Sequence, residues 1–210
     1  MKNLVIMAGG KSNRMGTDKV FLEVEGETFL EHLYRRGNEF FDNIYISTNT
    51  VEHAHRMMEL PGLKAIDKTH YITDAYVDCG PIGGIISVFE KTDLERFAVI
   101  PTDVPLADMR VLALLFEHTR GVTCILKGPD DFLEPLIGVY DRSCLAAFRD
   151  SLARQSYSIR KALVNCPFKA LSFQNLTELN PELAEMNFSQ CFTNINYPDD
   201  YSLFRNSSKS

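Results

Sequence analysis

An apolar run, Leu4-Val5-Ile6-Met7-Ala8, passes without a break into Gly9-Gly10 and then into a polar stretch with three cations, Lys11, Arg14 and Lys19. A short apolar run leading into glycine has β-strand character. Glycines directly after it let the backbone turn tightly and bring its N–H groups close to an anion. The basic side chains add full charges where phosphates would lie, so the stretch reads as a grip for a nucleoside triphosphate. It is not a P-loop, because GxxxxGK[ST] is absent, and it is not a dinucleotide fingerprint, because GxGxxG is absent. The whole chain has a formal net charge of −6, so these cations are a local feature of an acidic molecule. That contrast favours a small anionic ligand and gives no electrostatic footprint for nucleic acid.

Downstream, strand and helix signals alternate. Thr28 with Glu31 makes a capping box for a helix carrying Phe29, Leu30, Leu33 and Tyr34 on one side, with Gly37 weakening its far end. Residues 43–49 read as a second strand, 51–59 as a short helix, and 63–66 as a third strand with Asp67 at its end. Residues 68–79 read as a long polar loop of the kind that is often functional. Gly80-Pro81-Ile82-Gly83-Gly84 then opens an apolar helix. The clearest strand is 97–103, apolar until Asp103; Asp108 caps the helix that follows. Further strands are expected at 122–126, 134–140 and 168–173, and helices at 143–153, 158–164 and from Tyr197. No assignment is made for 175–190, where signals are mixed around Pro181. Alternation of this kind predicts an α/β chain with a mainly parallel, doubly wound, Rossmann-like sheet. With no repeat and no Pro-, Gly- or Ser-rich linker, residues 1–205 are expected to form one domain and 206–210 a frayed tail.

Ligands of such sheets sit beyond the carboxyl ends of the strands, at the switch point. Polar residues fall there repeatedly: Gly9 and Gly10, Ser47 and Asn49, Asp67, and Asp103. Each alone could be a turn former; together with a cationic glycine loop they point to a binding site. Asp103, at the tip of an apolar strand, suits Mg²⁺, a hard cation that takes oxygen ligands and arrives with substrate phosphates. Its competing role is to cap the turn at Val104-Pro105.

Other features carry less. The five cysteines are scattered and form no CxxC pair, which argues against a disulfide framework and a zinc site. His53 and His55 would diverge on a helix, no GxSxG elbow is present, and Cys79 has no general base beside it. With no secretory leader and no apolar run long enough to span a bilayer, the expected setting is the cytoplasm, away from membranes.

The residues Ala8-Gly9-Gly10-Lys11-Ser12-Asn13-Arg14-Met15-Gly16-Thr17-Asp18-Lys19 resemble the AGGxSxRMGxDK signature of molybdenum cofactor guanylyltransferases, nucleotidyltransferases of glycosyltransferase-A-like fold. Gly80-Pro81-Ile82-Gly83-Gly84 is similar to that family's GPLxGI, Pro101-Thr102-Asp103-Val104-Pro105 to its CDxP, and Thr193-Asn194-Ile195-Asn196-Tyr197-Pro198 to its NxNTP segment. A later strand, Pro135-Leu136-Ile137-Gly138-Val139-Tyr140, also matches, so the motifs run in family order from residue 4 to about 204. Thr102 and Tyr197 depart from the usual Cys and Thr.

The resemblance implies nucleotide contacts from Met7, Ala8, Gly9, Gly10, Lys19, Asp67 and Asp103, with Mg²⁺ on Asp103. The family's nucleoside-contacting Asn after the second strand falls on Asn49, the only Asn there, or on Ser47 in a gapless alignment, and Asn194 and Asn196 fall on the pterin side. Arg14, Lys19 and Asp103 would carry catalysis. The implied reaction is GTP plus molybdenum-loaded molybdopterin giving the guanine dinucleotide cofactor and pyrophosphate. Upstream molybdenum-insertion proteins and acceptor molybdoenzymes are the implied partners. Gly10, where related cytidylyltransferases carry AAG, favours guanine. A cytidylyltransferase acting on molybdopterin or an alcohol phosphate, or a nucleotide-binding domain without catalysis, are the alternatives.

Overall fold

In the computed structural model the leading apolar run is β1 (Asn3–Met7), buried at every position. Residues 1–9, 18–128, 131–197 and 199–202 are described. Gly10, Lys11 and Arg14 of the cationic stretch, and the tail expected at 206–210, lie outside them. A small hairpin follows, β2 (Glu23–Val24) and β3 (Glu27–Thr28), closed by Glu25 and Gly26, both at positive φ. Two positive φ values in a two-residue turn match the right-handed twist of the strands. The predicted capping box is formed: Thr28 Oγ1 accepts from the Glu31 N–H and Glu31 reaches back to the Thr28 N–H, opening α1 (Phe29–Gly37).

Next come β4 (Asn43–Thr48), α2 (Val51–Met58), β5 (Tyr71–Thr73), α3 (Pro81–Lys91), β6 (Arg96–Pro101) and α4 (Met109–Glu117), the last capped by Asp108. The second half holds β7 (Thr123–Lys127), β8 (Leu133–Asp141), α5 (Leu145–Ala153), α6 (Ile159–Leu163), β9 (Phe168–Ser172), α7 (Phe173–Leu179) and α8 (Phe188–Cys191).

Seven strands form one sheet in the order β5-β4-β1-β6-β8-β7-β9. Only β8 runs antiparallel to its neighbours. Strand side chains alternate between two cores. Leu4, Ile6, Ala98 and Ile100 pack with α1, α2 and α4 on one face, while Val5, Met7, Phe97 and Val99 pack with α3, α5 and α6 on the other. Each fully buried Leu, Ile, Val or Phe contributes about 1.5–3 kcal/mol of transfer free energy, so burial on both faces makes the centre of the sheet a rigid platform. The order of strands reverses beside β1, and this puts the switch point at the end of β1, next to Gly9.

One expected strand is misplaced. Residues 63–66 are not a strand: Pro61–Leu63 forms a 3₁₀ turn in which Leu63 alone is buried, while Lys64 and Ala65 face solvent. A strand between two helical layers needs consecutive burial, and Tyr71-Ile72 supplies it inside the segment expected to be loop. The unassigned stretch 175–190 is mostly helical turns held by stacked aromatics, with Phe188 between Phe173 and Phe192. Among the described residues, no helix is long and apolar enough to cross a membrane.

Candidate active site

Two adjoining cavities open at the carboxyl end of the sheet, sharing Met7, Gly9 and Pro81. The smaller, about 130 Å³, is walled by Ala8, Lys19 and the β6 tip at Thr102 and Asp103. The larger, about 680 Å³, is walled by Ser47 and Asn49 after β4, by Asp74 after β5, and by Tyr76, Val77 and Asp78 of the following loop. Pro81, the first residue of α3, touches both, so the positive end of that helix dipole lies at their junction. Gly80 starts the helix at φ 65 and ψ −162, a region that is essentially glycine-only.

The smaller cavity holds the chemistry-bearing cluster. Lys19 Nζ lies 3.1 Å from Asp103 Oδ2 and donates to Asn196 Oδ1 at 2.6 Å. Both charged side chains are largely buried, 17% and 24% exposed, so solvent screens the pair less than a surface ion pair. The C-terminal segment is pinned there by the Ile195 N–H donating to the Asp103 carbonyl at 2.8 Å, and Asp200 Oδ2 accepts from the N–H groups of Asn196 and Tyr197. The ends of β1 and β6 are tied by Thr102 N–H to the Met7 carbonyl, and those of β1 and β4 by Ala8 N–H to the Ser47 carbonyl.

In the larger cavity Asn49 lies against Gly9: a Cβ on Gly9 would stand 2.3 Å from Asn49 Oδ1. Ser47 donates to Asp74 Oδ1 at 3.4 Å. Burial pushes the Asp74 carboxyl up to about 6, against the lowering effects of the Ser47 hydrogen bond and the Lys91 charge. Gly84 of α3 leaves this floor open, since a Cβ there would meet Met7 Cε at 2.6 Å, Ser47 Oγ at 3.1 Å and Asp74 Oδ1 at 3.2 Å.

Thus Met7, Ala8, Gly9, Lys19, Ser47, Asn49, Asp103 and Asn196 come together around the cavities. Both members of the Ser47/Asn49 pair line the larger one. Gly10 and Arg14 fall outside the described residues. Asn194 is exposed and lines neither cavity. Asp67 lies away from both; its exposed carboxylate accepts from the Thr69 N–H and hydroxyl, which hold it below its ordinary value. The residue that reading from sequence missed is Asp74. It stands at the end of the true third strand, and the rule of looking at strand ends finds it once the strand is read as 71–73 rather than 63–66.

Asp103 offers a hard carboxylate oxygen beside Lys19. Among the described residues no group of three or more His, Cys, Asp or Glu side chains could hold a metal ion. The donor set therefore fits a cation shared between one carboxylate and the phosphates of a substrate, the usual habit of Mg²⁺, and not a cage made by protein alone.

The family model of the MobA-like NTP transferase domain matches residues 4–167. The chain belongs to this family. It is 29% identical to a probable molybdenum cofactor guanylyltransferase of Halalkalibacterium halodurans, with 94% of each protein covered. It is 28% identical to a molybdenum cofactor guanylyltransferase of Syntrophotalea carbinolica, over 96% of this chain and 89% of the relative. The crystal structure of molybdopterin-guanine dinucleotide biosynthesis protein A from Archaeoglobus fulgidus superposes with a TM-score of 0.76 at 19% identity, covering 99% of this chain and 100% of that one. That likeness shows the fold implied by the motif resemblance, with the mainly parallel sheet expected from the alternation of strands and helices. In the family frame, the matched segment spans the β1 tip, Asp74 and Asp103, while Asn196 lies beyond it.

Proposed function

We propose that this MobA-like NTP transferase transfers GMP from GTP to the phosphate of molybdenum-loaded molybdopterin, forming the guanine dinucleotide cofactor and pyrophosphate. The observation that carries the reading is the meeting of Lys19, Asp103 and Asn196, from three distant parts of the chain, beside a cavity of nucleoside size. The names of the relatives support the substrate class, and the two adjoining cavities support a nucleotide at the carboxyl end of the sheet.

The nucleoside lies in the larger cavity against Ser47, Asn49 and Asp74, and the phosphates extend past Met7–Gly9 into the smaller one. An oxygen of the pterin phosphate forms a new bond to the α-phosphorus, the bond from that phosphorus to the bridging oxygen breaks, and pyrophosphate leaves with the electron pair. Two anions must approach, so the first task is to cancel repulsion and the second to stabilise charge gathering on the leaving group. Lys19 places a full positive charge there, Asn196 fixes the Lys19 ammonium, and the N-terminal end of α3 adds a fixed dipole. Arg14, by its place in the sequence motif, adds a second cation. Asp103 would hold Mg²⁺, which neutralises phosphate charge when bound. No protein nucleophile or general base is required, because the attacking phosphate is already ionised. Asn194 and Asn196 face the pterin side in this reading; upstream molybdenum-insertion proteins supply the loaded pterin, and molybdoenzymes accept the product. The five free thiols suit a reducing cytoplasm.

The test is pyrophosphate release with Mg²⁺, molybdenum-loaded molybdopterin and GTP, CTP or ATP in turn. Release with GTP well above the other two is expected. Preference for CTP would replace the reading with a cytidylyltransferase, and no release with any nucleotide would leave a binding domain.

A further inference from the structure

His53, in the first turn of α2, has no part in the reaction just described, yet it touches the segment that presents Lys19. Its Nδ1 lies 2.8 Å from Thr48 Oγ1, on a residue with no exposed surface at the end of β4. Its Nε2 lies 2.8 Å from Asp18 Oδ2. At that distance the Nε2–Asp18 contact is electrostatic, without the alignment of a hydrogen bond, while Nδ1 shares a hydrogen bond with the threonine hydroxyl. Asp18 in turn uses Oδ1 to receive the Val20 N–H at 3.3 Å, capping the short turn Lys19–Phe21. Burial raises the Asp18 carboxyl, but the His53 contact, the Val20 N–H and the Arg56 charge outweigh it and hold the group ionised.

Two further contacts fix the same joint. The Phe21 ring meets the His53 ring edge-on with centroids 6.1 Å apart, and the Arg56 guanidinium lies 4.5 Å over Phe21. The turn that carries Lys19 is thus tied to α2 through Asp18 and Phe21, while Val20 packs into the core over the sheet. We infer that His53 is a positioning residue: through Asp18 it fixes the turn from which Lys19 reaches Asp103 and Asn196. Because Thr48 also receives the Asp74 N–H on its carbonyl at 2.8 Å, the same contacts link the Lys19–Phe21 turn to the wall of the larger cavity.

This inference rests on the proposed reaction only for its kinetic arm. Two substitutions separate the two ring nitrogens. Asn places an amide near Nδ1 and keeps only the Thr48 contact, whereas Gln places one near Nε2 and can still reach Asp18. Misplacing a catalytic group by about 1 Å costs on the order of 10²-fold. His53→Asn is therefore expected to lower kcat by about tenfold or more with little change in the KM for GTP, and His53→Gln to restore most of it. The arm independent of catalysis is acylation of Lys19 by acetic anhydride, read by peptide mass spectrometry on the full chain. An amine held between Asp103 and Asn196 reacts slowly, so Lys19 labelling rises several-fold in His53→Asn and stays at the wild-type level in His53→Gln. Unchanged labelling in His53→Asn, or equal changes in both variants, would overturn the positioning role. Wild-type protein that turns over no nucleotide would instead refute the proposed function, with the labelling result still deciding the role of His53.

Discussion

Asp74 offers a test of the larger cavity that needs no substrate. An ordinary Asp titrates near 3.8, whereas burial pushes this one up to about 6. The folded chain therefore binds a proton more tightly than the unfolded chain. The associated stability is fully present below about pH 4 and is lost as the pH rises through about 6. The full gap corresponds to about 3 kcal/mol. The carboxylate is only half-buried, so solvent screening reduces this to about 1–2 kcal/mol. Asp74→Asn keeps an oxygen for the Ser47 hydroxyl and removes the charge, so at pH 7 the nucleotide-free variant should be more stable than wild type by that amount. For a chain of this length that is about 2–8 °C in Tm. Thermal unfolding followed by circular dichroism from pH 3.5 to 8 reads it directly: the melting temperatures should nearly coincide at pH 3.5, separate from about pH 4 and reach a constant gap above about pH 6. A variant that is less stable at pH 7, or a gap that does not close in acid, refutes the reasoning that an ionised, desolvated carboxylate is held there. Nucleotide affinity should fall in the same variant, the usual trade of stability against function at a polar site.

Four other substitutions have expected outcomes. Lys19→Ala and Asp103→Ala should each lower pyrophosphate release by about 10²-fold or more, with circular dichroism spectra unchanged. Gly84→Ala should push the Met7 methyl group into the larger cavity, weakening GTP binding about tenfold by calorimetry while Tm barely moves, because a methionine tip yields readily. Gly138→Ala should destabilise the sheet by about 1–3 kcal/mol, seen in denaturant unfolding. A Cβ there would stand 2.6 Å from the Cys124 carbonyl and 3.1 Å from Ile125 Cα, both backbone of β7.

The parts of the fold legible in the sequence were those where local chemistry and burial agree. Leu4-Val5-Ile6 and Phe97-Ala98-Val99-Ile100 are apolar at every position because both sheet faces are covered, and Thr28 with Glu31 and Asp108 cap the helices as their side chains dictate. The third strand was misread because it is three residues long, too short for a periodic signal, while Leu63 and Ile66 imitate one around a 3₁₀ turn. That error carried the strand-end carboxylate from Asp74 to Asp67. The reversed direction of β8 was not legible either, since direction is set by pairing with β6 and β7 rather than by its own residues. The nearness of Lys19 and Asp103 was legible because the cationic stretch after β1 and the tip of β6 both lie at the carboxyl end of the sheet. The role of His53 was not, because its partners Thr48 and Asp18 are brought to it by the packing of α2.

The central claim is that the chain moves a GMP unit onto a pterin phosphate. The direct measurement is to supply GTP labelled at the α-phosphorus, with Mg²⁺ and molybdenum-loaded molybdopterin, and to follow the label by mass spectrometry. Label is expected in a guanine dinucleotide of the pterin, with unlabelled pyrophosphate in equal amount, and both should form at least about 10²-fold more slowly in Asp103→Ala. Label left entirely in GTP, GDP or free GMP would contradict it.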